Sequence, residues 1–407
     1  MTTRGSTGVP PCVSHRLLQG ASSGADSGRN SQPSVEMTVQ RVLFVADSLE
    51  VGGAERALVG LAVGLVARGA QVTLACSVGG ALAADAEIGG VGVLALGTRQ
   101  VKRRADASFA CALREEIVGD PPDLVHSHMY ASMVAAALAL SGLGIPLVVH
   151  EHSEAFWRDK RARRTAAAAY RSSAAVIAVS AAIGRRLLEV DRVPAAKVHL
   201  MANCLPDLTT KPSESAWSRS EGEPMVGVVA RLQHEKGVEV FLRAVVLLSK
   251  RLPAARFVIV GDGPERRALQ RFASHRRLPV TFLGFRADAQ ALIAQLDLLV
   301  VPSYTEGTPL VVLEAANAGV PVVATAVGGI PEQVRDGIEA VLVPAGNHRA
   351  LGDACFRVLS DPFLGERLAA AGRLRVQHEA GPAKTIEAIE RIYTLALNAA
   401  PVPFTSP

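Results

Sequence analysis

The chain reads as an α/β protein, two doubly wound parallel sheets in tandem, on three observations. From residue 41 onward, short Val/Leu/Ile runs alternate with amphipathic stretches, the pattern of parallel strands joined by crossover helices. A polar stretch from Pro206 to Pro224, with Lys211, Pro212 and several serines, interrupts the alternation, which then starts afresh. Turns bearing glycine and charge follow several strand ends, where sheets of this kind bind ligands.

Taken in order, residues 1–38 are rich in Ser, Gly, Thr and Asn and lack periodicity, so a disordered tail is expected. Met37, directly before the first strand, is a candidate start. The first domain, 39–205, has strand patterns at Arg41–Ala46, Gln71–Cys76, Gly92–Leu96, Leu124–His126, Leu147–His150, Ala175–Val179 and Lys197–Met201. Helical patterns fill the gaps, as at Glu55–Arg68, Ala107–Val118 and Ala181–Val190. The apolar run Met133 to Val149 is broken by Ser141, two glycines and Pro146, so it predicts a buried helix, a turn and a strand and not a membrane span. Residues 206–224 read as a linker. The second domain, 225–383, repeats the pattern at Met225–Ala230, Arg256–Val260, Val280–Phe282, Leu298–Val301, Val320–Ala324 and Ala340–Val343. A helix over 384–398 has no place assigned by pattern alone, and 399–407 form a Pro-containing tail.

The 407 residues are 49% hydrophobic and 20% charged, a composition that supports packed cores. A net charge of +5 is small for this length; it suits anionic ligands and does not point to nucleic acid. Five cysteines, Cys12, Cys76, Cys111, Cys204 and Cys355, show no paired spacing, which favours reduced thiols and a cytoplasmic protein.

The most informative stretch is PSYTEGTPLVVLEAANAGVPVVATAVGGIPEQ, from Pro302 to Gln333. Thr308 suits a helix N-cap and Pro309 the first helical position. Free N–H groups and the positive dipole end there suit a phosphate. Glu314 falls one turn past Leu310, roughly 6 Å along the same face, in reach of a hydroxyl pair such as a ribose. Glu306, just before the helix, would face the other side of the phosphate. The segment reads as half of a sugar-nucleotide site.

Other motifs are weaker alone. Val51-Gly52-Gly53-Ala54-Glu55-Arg56 follows the first strand; its glycines let backbone approach an anion, or simply turn the chain. Arg231 and Lys236 lie in the strand-to-helix turn Ala230–Gly237, where two cations can converge on a diphosphate or sit solvated. Gly261-Asp262-Gly263-Pro264-Glu265 reads as a tight turn with Pro at the first helical position. His126-Ser127-His128 and His150-Glu151-His152 end two strands; one histidine of the first pair is expected to face the cleft and the other the sheet. No third-ligand spacing supports zinc, and no metal is expected. No Asp-x-Asp, Walker-type glycine loop or G-x-G-x-x-G occurs. Lys102-Arg103-Arg104, and Arg158, Lys160, Arg161, Arg163 and Arg164 after Phe156-Trp157, are either solvated helix faces or a surface for an anionic membrane.

Together VGGAER, HSHMY, VARLQHEKG, GDGPER, FLGF and PSYTEGTPLVVLEAANAGVPVVAT resemble glycosyltransferase family 4, retaining sugar-nucleotide transferases of GT-B architecture. The matching pieces run from Arg41 to about Ala396. The resemblance implies two Rossmann-like domains with an interdomain cleft and a C-terminal helix crossing back onto the first domain. By the same resemblance, Arg231 and Lys236 would hold the donor diphosphate, and Gly52 and Gly53 would lie beside its phosphate and sugar. Glu314 would bind the ribose and Glu306 the transferred sugar. Gly307, Thr308, Pro309 and Leu310 would contact sugar and phosphate through the backbone, and His128 would line the acceptor and sugar side. Phe285 falls where the family holds the nucleobase. Cys204 stands where the family has the glycine of an Asn-Gly turn.

The expected activity is metal-independent hexosyl transfer, without a cofactor, from a UDP- or GDP-sugar to a hydroxyl of a polysaccharide, glycolipid or other glycoconjugate. A lipid-linked acceptor would bring the protein to the inner face of the cell membrane. The alternatives are a sugar-nucleotide epimerase on the same scaffold and a non-catalytic subunit that binds nucleotide sugar.

Overall fold

The structure, a computed structural model, describes residues 39–101, 106–155, 157–203, 222–379, 381–400 and 402–404. The tail at 1–38, Lys102–Arg104, Phe156, Cys204 and all but the end of the expected linker lie outside these residues. The described residues belong to one compact unit.

The first sheet holds β1 (Arg41–Ala46), β2 (Gln71–Cys76), β3 (Gly92–Ala95), β4 (Leu124–His128), β5 (Leu147–Glu151), β6 (Ala175–Ala178) and β7 (Val198–Leu200). The second holds β8 (Met225–Val229), β9 (Arg256–Val260), β10 (Val280–Gly284), β11 (Leu298–Val301), β12 (Val322–Thr325) and β13 (Val341–Val343). Their orders are β3-β2-β1-β4-β5-β6-β7 and β10-β9-β8-β11-β12-β13, with parallel pairing throughout. The two-domain α/β architecture is therefore as the sequence predicts.

Strand order reverses between β1 and β4 and again between β8 and β11. At such a reversal the crossover helices leave in opposite directions and open a crevice beyond the carboxyl ends of the strands. The Gly52–Gly53 turn follows β1, His126–His128 ends β4, the Ala230–Gly237 turn follows β8 and the loop from Pro302 follows β11, the four strands that flank the two crevices. Several strand boundaries differ from the sequence reading, three of them for clear reasons. Pro321 lacks an N–H, so β12 pairs only from Val322. β4 and β5 run on to His128 and Glu151 because His128 pairs with His150 across them.

Apolar residues of each sheet face helices on both sides. Phe44, Leu74, Val148 and Ile177 meet the Gly53–Ala67 helix on one face of the first sheet. Joining them there is the terminal helix Pro382–Leu397, which buries Ile386, Ile389, Ile392, Tyr393 and Ala396. That spacing makes one helical stripe, and packing on the Gly53–Ala67 helix returns the chain end to the first domain. No described helix is long and apolar enough to cross a membrane.

Candidate functional site

The second domain supplies a cation and a carboxylate in direct contact. After β8 the chain makes a short turn, His234–Lys236, closed by Gly237 at φ 60°. A side chain at Gly237 would collide with the Pro302 carbonyl, 2.1 Å from an added Cβ. Glycine thus lets this turn lie directly on the loop after β11, where Tyr304 N–H donates to the Glu235 carbonyl at 2.8 Å. The approach carries Lys236 Nζ to 2.8 and 2.7 Å from the two Glu306 carboxylate oxygens. Ser303 Oγ also donates to Glu306 Oε1 at 2.7 Å. Glu306 is buried. Arg231 is exposed in the same turn and its guanidinium has no partner among the described residues.

The helix after this loop spans Leu310–Ala318. It begins one residue later than the sequence suggests. Pro309 takes the N-cap position with extended ψ of 123°, and its carbonyl accepts the Val312 N–H. Thr308 is therefore not the cap, and its buried Oγ1 has no hydrogen-bond partner among the described residues. The helix after Gly261–Glu265 likewise starts late, at Arg266, past Pro264.

Several contacts join the two domains at this point. Asn203 Nδ2 donates to the Thr308 carbonyl at 3.1 Å. Glu332 accepts from the Ala181 N–H at 2.9 Å with both carboxylate oxygens. Ala57 packs with Leu310, Leu313 and Ala316. Gly307 runs so close to the first domain that an added Cβ would lie 2.2 Å from the His152 carbonyl oxygen.

Glu314 is also buried, and Arg56 Nη1 of the first domain lies 2.5 Å from its Oε1. Burial raises its pKa, and the Arg56 charge opposes that rise. Sequence reasoning assigned Arg56 no role; its place one turn after the glycine pair was visible, but its partner was not. Gly52 is the N-cap of the Gly53–Ala67 helix, and the space around Gly53 is open. Phe285 is 53% exposed, following Gly284 at the end of β10.

The histidines are placed differently from expectation. Residues i and i+2 share a strand face, so His126 and His128 point the same way and Ser127 points the other. The pairing of His128 with His150 brings the second pair alongside on the same face. His126, His128, His150 and His152 form a packed group with ring centroids 4.4 to 5.4 Å apart. His126 Nδ1 lies 2.7 Å from Tyr393 Oη of the terminal helix, and His128 Nδ1 2.8 Å from His152 Nε2. His128 is thus fully buried beneath the cleft end of β4. Met129, which follows it, has φ 70°, a conformation costly for a side chain with a Cβ and often kept near functional sites. Burial, reinforced by the neighbouring rings, pushes His126 down to about 3 and holds His128 and His150 well below the usual histidine range. Burial lowers His152 to about 4, against the opposing pull of Glu151.

The basic run after Phe156 divides. Arg158 turns inward, donating from Nη2 to Glu151 at 2.8 Å and from Nη1 to Tyr170 Oη at 2.6 Å. Burial alone would lower its pKa, but Glu151 and Tyr170 hold it above its ordinary value. Lys160, Arg161, Arg163 and Arg164 remain exposed on the Lys160–Ser172 helix.

Two family models match the chain: Glycosyltransferase Family 4 over residues 51–206 and Glycosyl transferases group 1 over residues 223–361. The chain is 32% identical over 271 residues to an alpha-D-kanosaminyltransferase of Streptomyces kanamyceticus, covering 60% of this chain and 70% of that one. It is 32% identical over 310 residues to a D-inositol 3-phosphate glycosyltransferase of Nocardia farcinica, covering 68% and 67%. Among solved structures, Anabaena HepE in complex with UDP-glucose superposes with a TM-score of 0.75 at 22% identity, covering 87% of this chain and 99% of that one. WaaG, a glycosyltransferase involved in lipopolysaccharide biosynthesis, superposes with a TM-score of 0.69 at 18% identity, covering 86% and 99%.

Proposed function

Because the chain belongs to glycosyltransferase family 4, we propose that it moves a hexosyl unit from a UDP-linked sugar to a hydroxyl acceptor with retention of anomeric configuration. The Lys236–Glu306 contact carries this reading. Breaking the bond between a sugar and its diphosphate develops positive charge at the anomeric carbon and negative charge on the departing oxygen. A fixed ammonium beside a fixed carboxylate matches that separation without reorganisation. Arg231 and the N–H groups at the start of the Leu310–Ala318 helix would take up the rest of the diphosphate charge, so the transfer step needs no metal. The complex of HepE with UDP-glucose favours uridine over guanosine as the base.

Lys236 and Ser303 hold Glu306 as a fixed negative charge, a role that involves no covalent bond to the sugar. The acceptor oxygen therefore attacks on the face the diphosphate leaves. Its bond to the anomeric carbon forms as the carbon–phosphate-oxygen bond breaks, and its proton passes to the departing phosphate oxygen. Glu314, held by Arg56, would take the ribose hydroxyls. Incubation with UDP-glucose and a panel of hydroxyl acceptors, with the product's anomeric configuration read by NMR, tests the reading. An α-linked product is expected, and an inverted one would overturn the mechanism.

A further inference from the structure

We propose that the histidine group on β4 and β5 is a transition-metal site, with the ion held by His126 Nε2, His128 Nε2 and one ring nitrogen of His150. Candidate ligand atoms of these three residues all lie within 4.8 Å of one another. His126 Nε2, His128 Nε2 and both nitrogens of His150 are buried without a hydrogen-bond partner among the described residues. Such orphaned buried atoms call for a bound water or ion.

The remaining nitrogens are arranged as a metal site requires. A ligating imidazole commonly uses its second ring nitrogen to hydrogen-bond a supporting group. Here His126 Nδ1 meets Tyr393 Oη, and His128 Nδ1 meets His152 Nε2. With Nδ1–H donating in each case, both Nε2 lone pairs are left free for the ion. Closing on a zinc-sized ion at about 2.0–2.1 Å per bond brings ligand atoms to about 3.3 Å apart. That requires ring rotations on the strand ends and leaves the sheet register intact.

Three imidazole nitrogens select zinc, cobalt, nickel or copper over magnesium or calcium. Glu151, the neighbouring carboxylate, is committed to Arg158 and Tyr170, so it does not neutralise the ion. Binding should accordingly be exchangeable, weaker than at thiolate sites. The ion takes no part in the transfer step; it ties β4 to β5 under the terminal helix.

Chelator-treated full-length protein titrated with Co²⁺ tests this. One equivalent should bind with visible ligand-field bands, and Zn²⁺ should displace it. His150→Ala should weaken Co²⁺ binding by more than about 100-fold, and Tyr393→Phe by about 10- to 100-fold as a supporting group, whereas exposed His275→Ala should leave it unchanged. If His150→Ala does not fold, the cadmium-113 resonance of wild-type protein loaded with Cd²⁺ reports nitrogen ligation without any variant. Wild-type protein that takes up no stoichiometric Co²⁺ or Cd²⁺, or a folded His150→Ala variant that binds as wild type does, overturns the proposal. Either result would assign the orphaned nitrogens to water.

Discussion

Replacing Lys236 by alanine removes the cation that meets both oxygens of Glu306. On the proposed mechanism kcat should fall by about 10²–10³-fold in protein that still folds, the cost of one preorganised transition-state contact. A variant that keeps wild-type turnover would exclude the role. Arg56 calls for a different measurement. A carboxyl whose folded pKa lies above its unfolded value, as for Glu314, binds its proton sooner in the folded chain. Its contribution to stability is full below the unfolded value and declines as pH rises through the folded one. Arg56→Met removes the charge that opposes this shift, so the decline should extend to higher pH. The Tm deficit of the variant should then widen as pH rises above the ordinary carboxylate range, reaching a cost of about 3–5 kcal/mol, as for a broken buried pair. A deficit that stays constant with pH would show that Glu314 is not the group responsible. Glu306, Lys236, Arg231 and Glu314 were all legible as candidates, because spacing and residue type alone imply their chemistry. Arg56 and Ser303 were not, since each acts only through a partner distant in sequence or in the partner's own loop geometry.

At the scale of elements, the site depends on loops that approach more closely than a side chain allows. Gly307→Ala would place a Cβ 2.2 Å from the His152 carbonyl oxygen, so the loop after β11 and the end of β5 must separate. A displacement of about 1 Å at a reacting centre costs on the order of 10²-fold in rate, and a loss of that size is expected while Tm stays near wild type. Activity within twofold of wild type would show that the close approach is not needed. Element boundaries were legible where composition changes sharply, as at Arg41–Ala46, Arg256–Val260 and Leu298–Val301. They shifted where a neighbour decides. Pro309 displaced the expected Thr308 cap, and the pairing of His128 with His150 lengthened two strands.

For the whole molecule, the Pro382–Leu397 helix makes the chain end part of the first domain's core. Truncation after Glu379 uncovers that core where Ile386, Ile389, Ile392 and Tyr393 now pack. At about 1.5–3 kcal/mol for each buried large apolar side chain, more than about 5 kcal/mol should be lost, seen as insoluble expression or a collapsed Tm. A truncated chain with the wild-type Tm would contradict this packing. By itself the sequence determined the two α/β domains, the turns of the candidate site and the family, because strand period, turn residues and short motifs are local properties. Only the tertiary structure decided which charges meet. Arg56 finds Glu314 across the cleft, Arg158 turns inward to Glu151, and four histidines at the ends of two strands become one packed group. Those outcomes depend on strand register and domain approach, which bring together residues that no spacing along the chain relates.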